Sequence, residues 1–158
     1  MAEDAPRQFL GQVSIDQVSL APASPQQEHE RKVAITDLLR ANVFAPEDGP
    51  GGPYDLAIGM VEERLVLDIT GAGYERRHIL SLSPFRRIVR DYMTLCRSYN
   101  EAVSAATPSQ IEAIDMGRRG LHNEGSDLLR ERLAGKAATD LATARRLFTL
   151  LCALHWRG

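Results

Sequence analysis

The sequence predicts an α+β domain in which a small antiparallel β-meander of three to four strands packs against about four helices. Three observations predict it. Apolar residues alternate with a period of two between Phe9 and Leu82, they recur at helical spacing after Ser83, and the strands are segregated from most of the helices along the chain. A chain of 158 residues, 44% hydrophobic and 25% charged, has the size and apolar content of one core. Residues 12–158 are therefore expected to form a single domain behind a flexible tail over residues 1–11.

Phe9, Val13 and Ile15 share one parity against Gln12 and Ser14, which predicts a short first strand. In Ser24-Pro25-Gln26-Gln27 a serine N-cap, a proline at the first helical position and a glutamine at N3 form a capping box. The helix that follows presents Ala34, Ile35, Leu38 and Leu39, and the segment from Pro46 to Pro53, with Gly49-Pro50-Gly51-Gly52 in a row, is expected to be a loop.

From Tyr54 the period becomes two, with Tyr54, Leu56, Ile58 and Met60 on one face, then Leu65, Leu67 and Ile69 beyond a turn near Glu62-Glu63. Gly71-Ala72-Gly73 supplies the next turn, and His78, Leu80 and Leu82 continue as the third strand of the meander. Ser83-Pro84 is expected to cap and open a helix bearing Phe85, Ile88, Val89, Tyr92, Cys96, Tyr99 and Val103 on one face. Thr107-Pro108-Ser109-Gln110 is a second capping box, and it opens a segment that three glycines divide into one helix or two. From about Thr139, Leu141, Ala144, Phe148, Leu151, Cys152 and His155 share a face that Leu147, Leu150 and Leu154 widen, which predicts the most buried helix.

Charge narrows the function classes. A formal charge of −2 gives no global attraction for nucleic acid or an anionic membrane, and both are disfavoured as partners. The charge is uneven. Residues 84–158 carry twelve Arg or Lys against eight Asp or Glu, whereas residues 1–83 carry seven against thirteen, so the C-terminal half is the side expected to meet an anion. Lys32 and Lys136 are the only lysines; arginine's planar fork suits bidentate carboxylate or phosphate contacts, while a GC-rich coding bias gives the same composition. Cys96 and Cys152 are too few for a disulfide framework, no apolar run approaches a membrane span, and the start Met1-Ala2-Glu3-Asp4 is acidic, unlike a signal peptide. A reducing, cytoplasmic setting is expected.

Catalytic and cofactor motifs fail on inspection. Gly71-Ala72-Gly73 begins like a dinucleotide fingerprint, but Arg76 stands at the third glycine and a strand follows instead of a helix. Phosphate loop, nucleophile elbow, HExxH and EF-hand patterns are missing, and His122-Asn123-Glu124 has the HxE half of a zinc deaminase without its PCxxC half. No metal and no cofactor is expected. Cys152 and His155, three apart on a helix, resemble a thiolate–imidazole pair, but their apolar face favours packing. Cys96 and the tyrosines beside it read as core, His29 as solvated, and His78 as a histidine at the edge of the core.

One segment resists the core reading. Asp115-Met116-Gly117-Arg118-Arg119-Gly120-Leu121-His122-Asn123-Glu124-Gly125-Ser126 combines both charge signs, an imidazole, an amide and three glycines, a mixture costly to a helix and poor for a core. Arg118, Arg119, His122, Asn123 and Glu124, with Arg86, are the candidate binding residues: arginine forks grip phosphate or carboxylate, and a histidine near a glutamate exchanges protons near neutral pH. Ion pairs inside a helix bundle, with the glycines allowing close contact, account for the same residues equally well.

The chain also resembles a known family. Ser81-Leu82-Ser83-Pro84-Phe85-Arg86-Arg87-Ile88-Val89, the run from Ala106 to Ser126 and the ending Leu154-His155-Trp156-Arg157-Gly158 resemble the bacterial uncharacterised protein family 0262, as do Glu28-His29-Glu30-Arg31 and Gly52-Pro53-Tyr54. The resemblance implies a bacterial, cytoplasmic setting and no established activity. Two functions stay open: a non-catalytic binding or regulatory domain that docks an anionic ligand or acidic partner through its arginine-rich half, and a small enzyme on a phosphorylated or nucleotide-like substrate. In the enzyme, Arg118 and Arg119 would clamp the anion and His122 or Glu124 would move protons. Convergence of Arg86, Arg90, Arg118, Arg119, His122 and Glu124 on one pocket, or their loss to separate ion pairs, separates the two.

Overall fold

A computed structural model of the chain describes residues 7–20 and 23–155, with side chains through Leu154. The first six residues of the expected tail and the side chain of His155, half of the thiol–imidazole pair, lie outside the described residues.

The chain folds as α+β. Its elements are β1 (Leu10–Ile15), α1 (Pro25–Arg40), β2 (Phe44–Pro46), β3 (Tyr54–Val61), β4 (Arg64–Gly71), β5 (Tyr74–Ser81), α2 (Arg86–Ala105), α3 (Pro108–Leu133), β6 (Ala137–Thr139) and α4 (Leu141–His155). The meander is antiparallel: Ile58 faces Leu67, and Leu67 faces His78. Its inner face buries Tyr54, Leu56, Ile58, Leu65, Leu67, Ile69, Tyr74 and Leu80 against the helices. His78 is half-buried on that face, as its parity requires.

The fourth strand corrects the all-antiparallel expectation. β1 lies beside β3 and runs parallel to it, giving the order β1-β3-β4-β5 in a mixed sheet. The reason is the crossover: α1 carries the chain back along the sheet, so β3 sets out in the same direction as β1. A bulge between Leu10 and Gln12 resets the parity, which lets Leu10 and Val13 both face the core although they are three apart. The strand thus begins inside the segment read as tail.

Two further expectations are corrected. Ser83 does not cap a helix: Ser83–Phe85 is a single 3-10 turn, and α2 starts at Arg86 behind Phe85, which makes no side-chain cap and is instead completely buried. Pro46 is not loop but the last residue of β2, which pairs antiparallel with β6, so that Pro46 faces Ala137. That pairing joins segments some ninety residues apart and leaves no local pattern to read.

Both capping boxes form. The Ser24 and Thr107 side chains accept from the backbone N–H of Gln27 and Gln110, whose side chains accept from the N-cap N–H in return. α3 is one continuous helix through all three glycines. α4 buries Ala144, Leu147, Phe148 and every residue from Leu150 to Leu154, and it packs against α1, α2 and α3.

Candidate functional site

A polar cleft of about 460 Å³ lies between α2, α3 and α4. It is lined by Tyr92 from α2, by Arg118, Arg119 and His122 from α3, and by Arg145, Arg146 and Thr149 from α4. Helical spacing explains the set: 118, 119 and 122 fall on one face of α3, and 145, 146 and 149 on the facing side of α4.

The four guanidiniums are not equivalent. Arg118 donates to Asp115 Oδ1 (2.5 Å) and Arg119 pairs with Asp115 Oδ2, so one carboxylate answers two arginines. These contacts, that of Arg118 first, hold the Asp115 carboxyl below the usual carboxylate range. Arg118 also stacks on Tyr99, its guanidinium carbon 4.0 Å from the ring centroid. Arg145 and Arg146 hydrogen-bond to neutral oxygens instead. Arg145 donates to the Asn123 side-chain carbonyl, and Arg146 donates to the backbone carbonyl of Ala41 at 2.7 Å. Asp140, the residue before α4, lies within electrostatic reach of Arg146 but accepts its hydrogen bond from the Thr143 N–H.

His122 sits at the floor of the cleft inside a three-ring cluster, its centroid 5.4 Å from that of Tyr92 and 5.2 Å from that of Phe148. Thr149 Oγ1 donates to the Arg145 carbonyl (3.1 Å), so its oxygen is left to accept from His122 Nε2–H at 2.8 Å. This fixes the neutral Nε2–H tautomer. Ser126 Oγ donates to the His122 carbonyl (2.7 Å) and lies 3.4 Å from Nδ1. Burial, reinforced by the Arg145 charge, pushes the imidazole down to about 4, so it is uncharged at neutral pH. Tyr92 is likewise pushed up by burial, and neither ring ionises near neutrality.

The structure therefore brings together three of the six candidate residues. Arg118, Arg119 and His122 line the cleft, and Asn123 stands at its edge on Arg145. Glu124 is engaged by Arg87 of α2 at 3.0 Å, and Arg86 is engaged by Glu63 of the β3–β4 turn at 2.5 Å. Arg90 pairs with its neighbour Asp91. The sequence reading did not single out Arg145, Arg146 and Thr149, and it read Tyr92 as core alone. The signal was an arginine pair interrupting the apolar run of α4, with Thr149 one turn on.

The uncharacterised protein family UPF0262 matches the chain over residues 7–157. The chain belongs to that family. UPF0262 proteins of Phenylobacterium zucineum (64% identical, covering all of both chains), Caulobacter vibrioides (62%, covering 92% of each) and Brucella canis (54%, covering all of both) are among its relatives. No solved structure matches the chain. The run from Ala106 to Ser126 supplies the first part of α3, and with Arg118, Arg119 and His122 one wall of the cleft. Among the described residues of this UPF0262 chain, no three His, Cys, Asp or Glu side chains are grouped to hold a metal ion. Among the described residues, no helix is long and apolar enough to cross a membrane.

Proposed function

We propose that the protein is a non-catalytic binding or regulatory domain of the bacterial cytoplasm that takes a small phosphate-type anion in the cleft between α2, α3 and α4. One observation carries this reading: Arg145 and Arg146 bring charge to a concave site while bonding, among the described residues, only to neutral oxygens, whereas Arg118 and Arg119 already share Asp115. A cleft of about 460 Å³ suits a small ligand better than an extended acidic surface. Support for the non-catalytic form comes from the chemistry of the imidazole, which is neutral and held through Nε2, and from Glu124, which Arg87 draws to α2. The expected proton-transfer pair is not assembled around the cleft. The two cysteines stand as free thiols, which supports a reducing setting.

Calorimetric titration at low salt with inorganic phosphate, sulfate and pyrophosphate tests the reading. Saturable binding is expected, weakened about ten- to a hundredfold in Arg145→Gln and in Arg146→Gln, since each removes one charge-assisted hydrogen bond. If wild-type protein binds none of the three, or binds them equally in both variants, the small-anion reading is wrong; binding of a poly-glutamate peptide alone would transfer the role to an acidic partner.

A further inference from the structure

We propose a second binding site, separate from the arginine cleft: the pocket between β1 and α1, which takes a short-chain organic carboxylate as a monoanion on Arg31. Arg31 lies on α1 and is only 4% exposed. Its Nε donates to the carbonyl of Ala153 on α4 at 3.3 Å, while among the described residues its buried Nη1 has no hydrogen-bond partner. Among the described residues no carboxylate forms an ion pair with it. A guanidinium held out of water without an anion is expensive, because the lost hydration is not replaced. The bond to Ala153 explains where Arg31 is held; it does not supply the missing charge.

The surroundings define what would supply it. Arg31 lines a pocket of about 330 Å³ together with Lys32 and Glu28 of its own helix. Two cations against one carboxylate leave a single net positive charge, which favours a monoanion and penalises a dianion next to Glu28. Ser14 and Gln17, from β1 and the turn after it, add neutral hydrogen-bonding groups at the wall. The remaining wall is apolar, made by Val13, Ile15 and Ile35. A charged head on Arg31 with a short aliphatic body along these three side chains matches the lining; a bare tetrahedral anion leaves the apolar wall unused.

An amide-resolved NMR titration of the full chain with acetate, butyrate and hexanoate, and separately with inorganic phosphate, tests the proposal. The expected result is saturable shifts in the amides of residues 13–17 and 28–35, with affinity rising about two- to fourfold per added methylene as apolar area is covered. Arg31→Lys should weaken hexanoate at least tenfold. Ile35→Ala keeps the guanidinium and should flatten the dependence on chain length, so the test survives if the Arg31 variant fails to fold. The proposal is overturned if hexanoate gives no saturable shifts in wild-type protein, if the shifts map to α3 and α4 instead, or if phosphate binds these amides as tightly as hexanoate.

Discussion

The ring of Phe148 occupies the space that the Cβ of any residue other than glycine would need at position 125. An added Cβ would stand 2.2 Å from Phe148 Cζ, and the ring is completely buried within the cluster it forms with Tyr92 and His122. Gly125 therefore sets how closely α3 approaches α4, and with that the width of the cleft floor. The other glycines of α3 have different surroundings: a Cβ at Gly120 meets nothing within 4 Å, and one at Gly117 meets Leu95 at 3.2 Å.

Gly125→Ala should destabilise the protein. Overpacking costs about 1–3 kcal/mol, more than the roughly 1 kcal/mol that alanine gains over glycine in a helix. Gly120→Ala has the propensity gain without the clash and should stabilise by about 0.5–1 kcal/mol. Denaturant unfolding of both variants checks the pair, and Phe148→Leu in the Gly125→Ala background should recover part of the loss. Equal effects at the two positions would show that helix contact is not set by Gly125.

His122 makes stability depend on pH. Its folded pKa of about 4 lies below the ordinary histidine value of 6.5, so the unfolded chain binds the proton first as pH falls. The contribution is complete above pH 6.5 and is lost as pH drops from there toward 4. The full shift would correspond to about 3 kcal/mol, and the ring's partial exposure reduces this to about 1–2 kcal/mol. Comparing unfolding free energies of wild type and His122→Gln across this window isolates the histidine from His78, which burial also shifts down, and from the carboxylates. Parallel curves would refute the assignment.

Arg118 and Arg119 should differ although both meet Asp115. Arg118 has a side chain only 28% exposed and stacks on Tyr99, whereas that of Arg119 is 72% exposed. Arg118→Ala should cost about 1–2 kcal/mol through the lost stack and charged hydrogen bond, and Arg119→Ala should stay within about 0.5 kcal/mol. Neither leaves Asp115 unpaired, since the other arginine remains. Thermal melts of the two single variants and the double variant check this; the double variant should lose more than the sum.

The β3–β4 turn is improvable. Glu62 and Glu63 connect Val61 to Arg64 with φ of 48° and 62°, left-handed values that favour asparagine and glycine in a two-residue hairpin turn. Replacing the pair by Asn-Gly should stabilise by about 1 kcal/mol, because the relieved backbone outweighs an exposed ion pair between Glu63 and Arg86. A lower melting temperature in this variant would mean that the ion pair matters more than the turn.

The sequence by itself determined those parts of the molecule whose causes are local. Alternation in Tyr54–Ile69 reads directly as strands because successive side chains must face opposite sides of a sheet, and Ser24 and Thr107 announce helix starts because a capping hydroxyl reaches only the next turn. The family likeness and the polar segment at 115–126 were legible on the same terms. Tertiary structure alone decided the rest. The parallel course of β1 follows from where α1 returns the chain, and the β2–β6 pairing from contact across some ninety residues. The division of the arginines depends on which group stands opposite each one in space: Asp115 for Arg118 and Arg119, Glu63 for Arg86, and the neutral oxygens of Asn123 and Ala41 for Arg145 and Arg146. Charge and periodicity are properties of single residues and short segments, but the neutralisation of a charge is a property of a pair, and only packing brings the pair together.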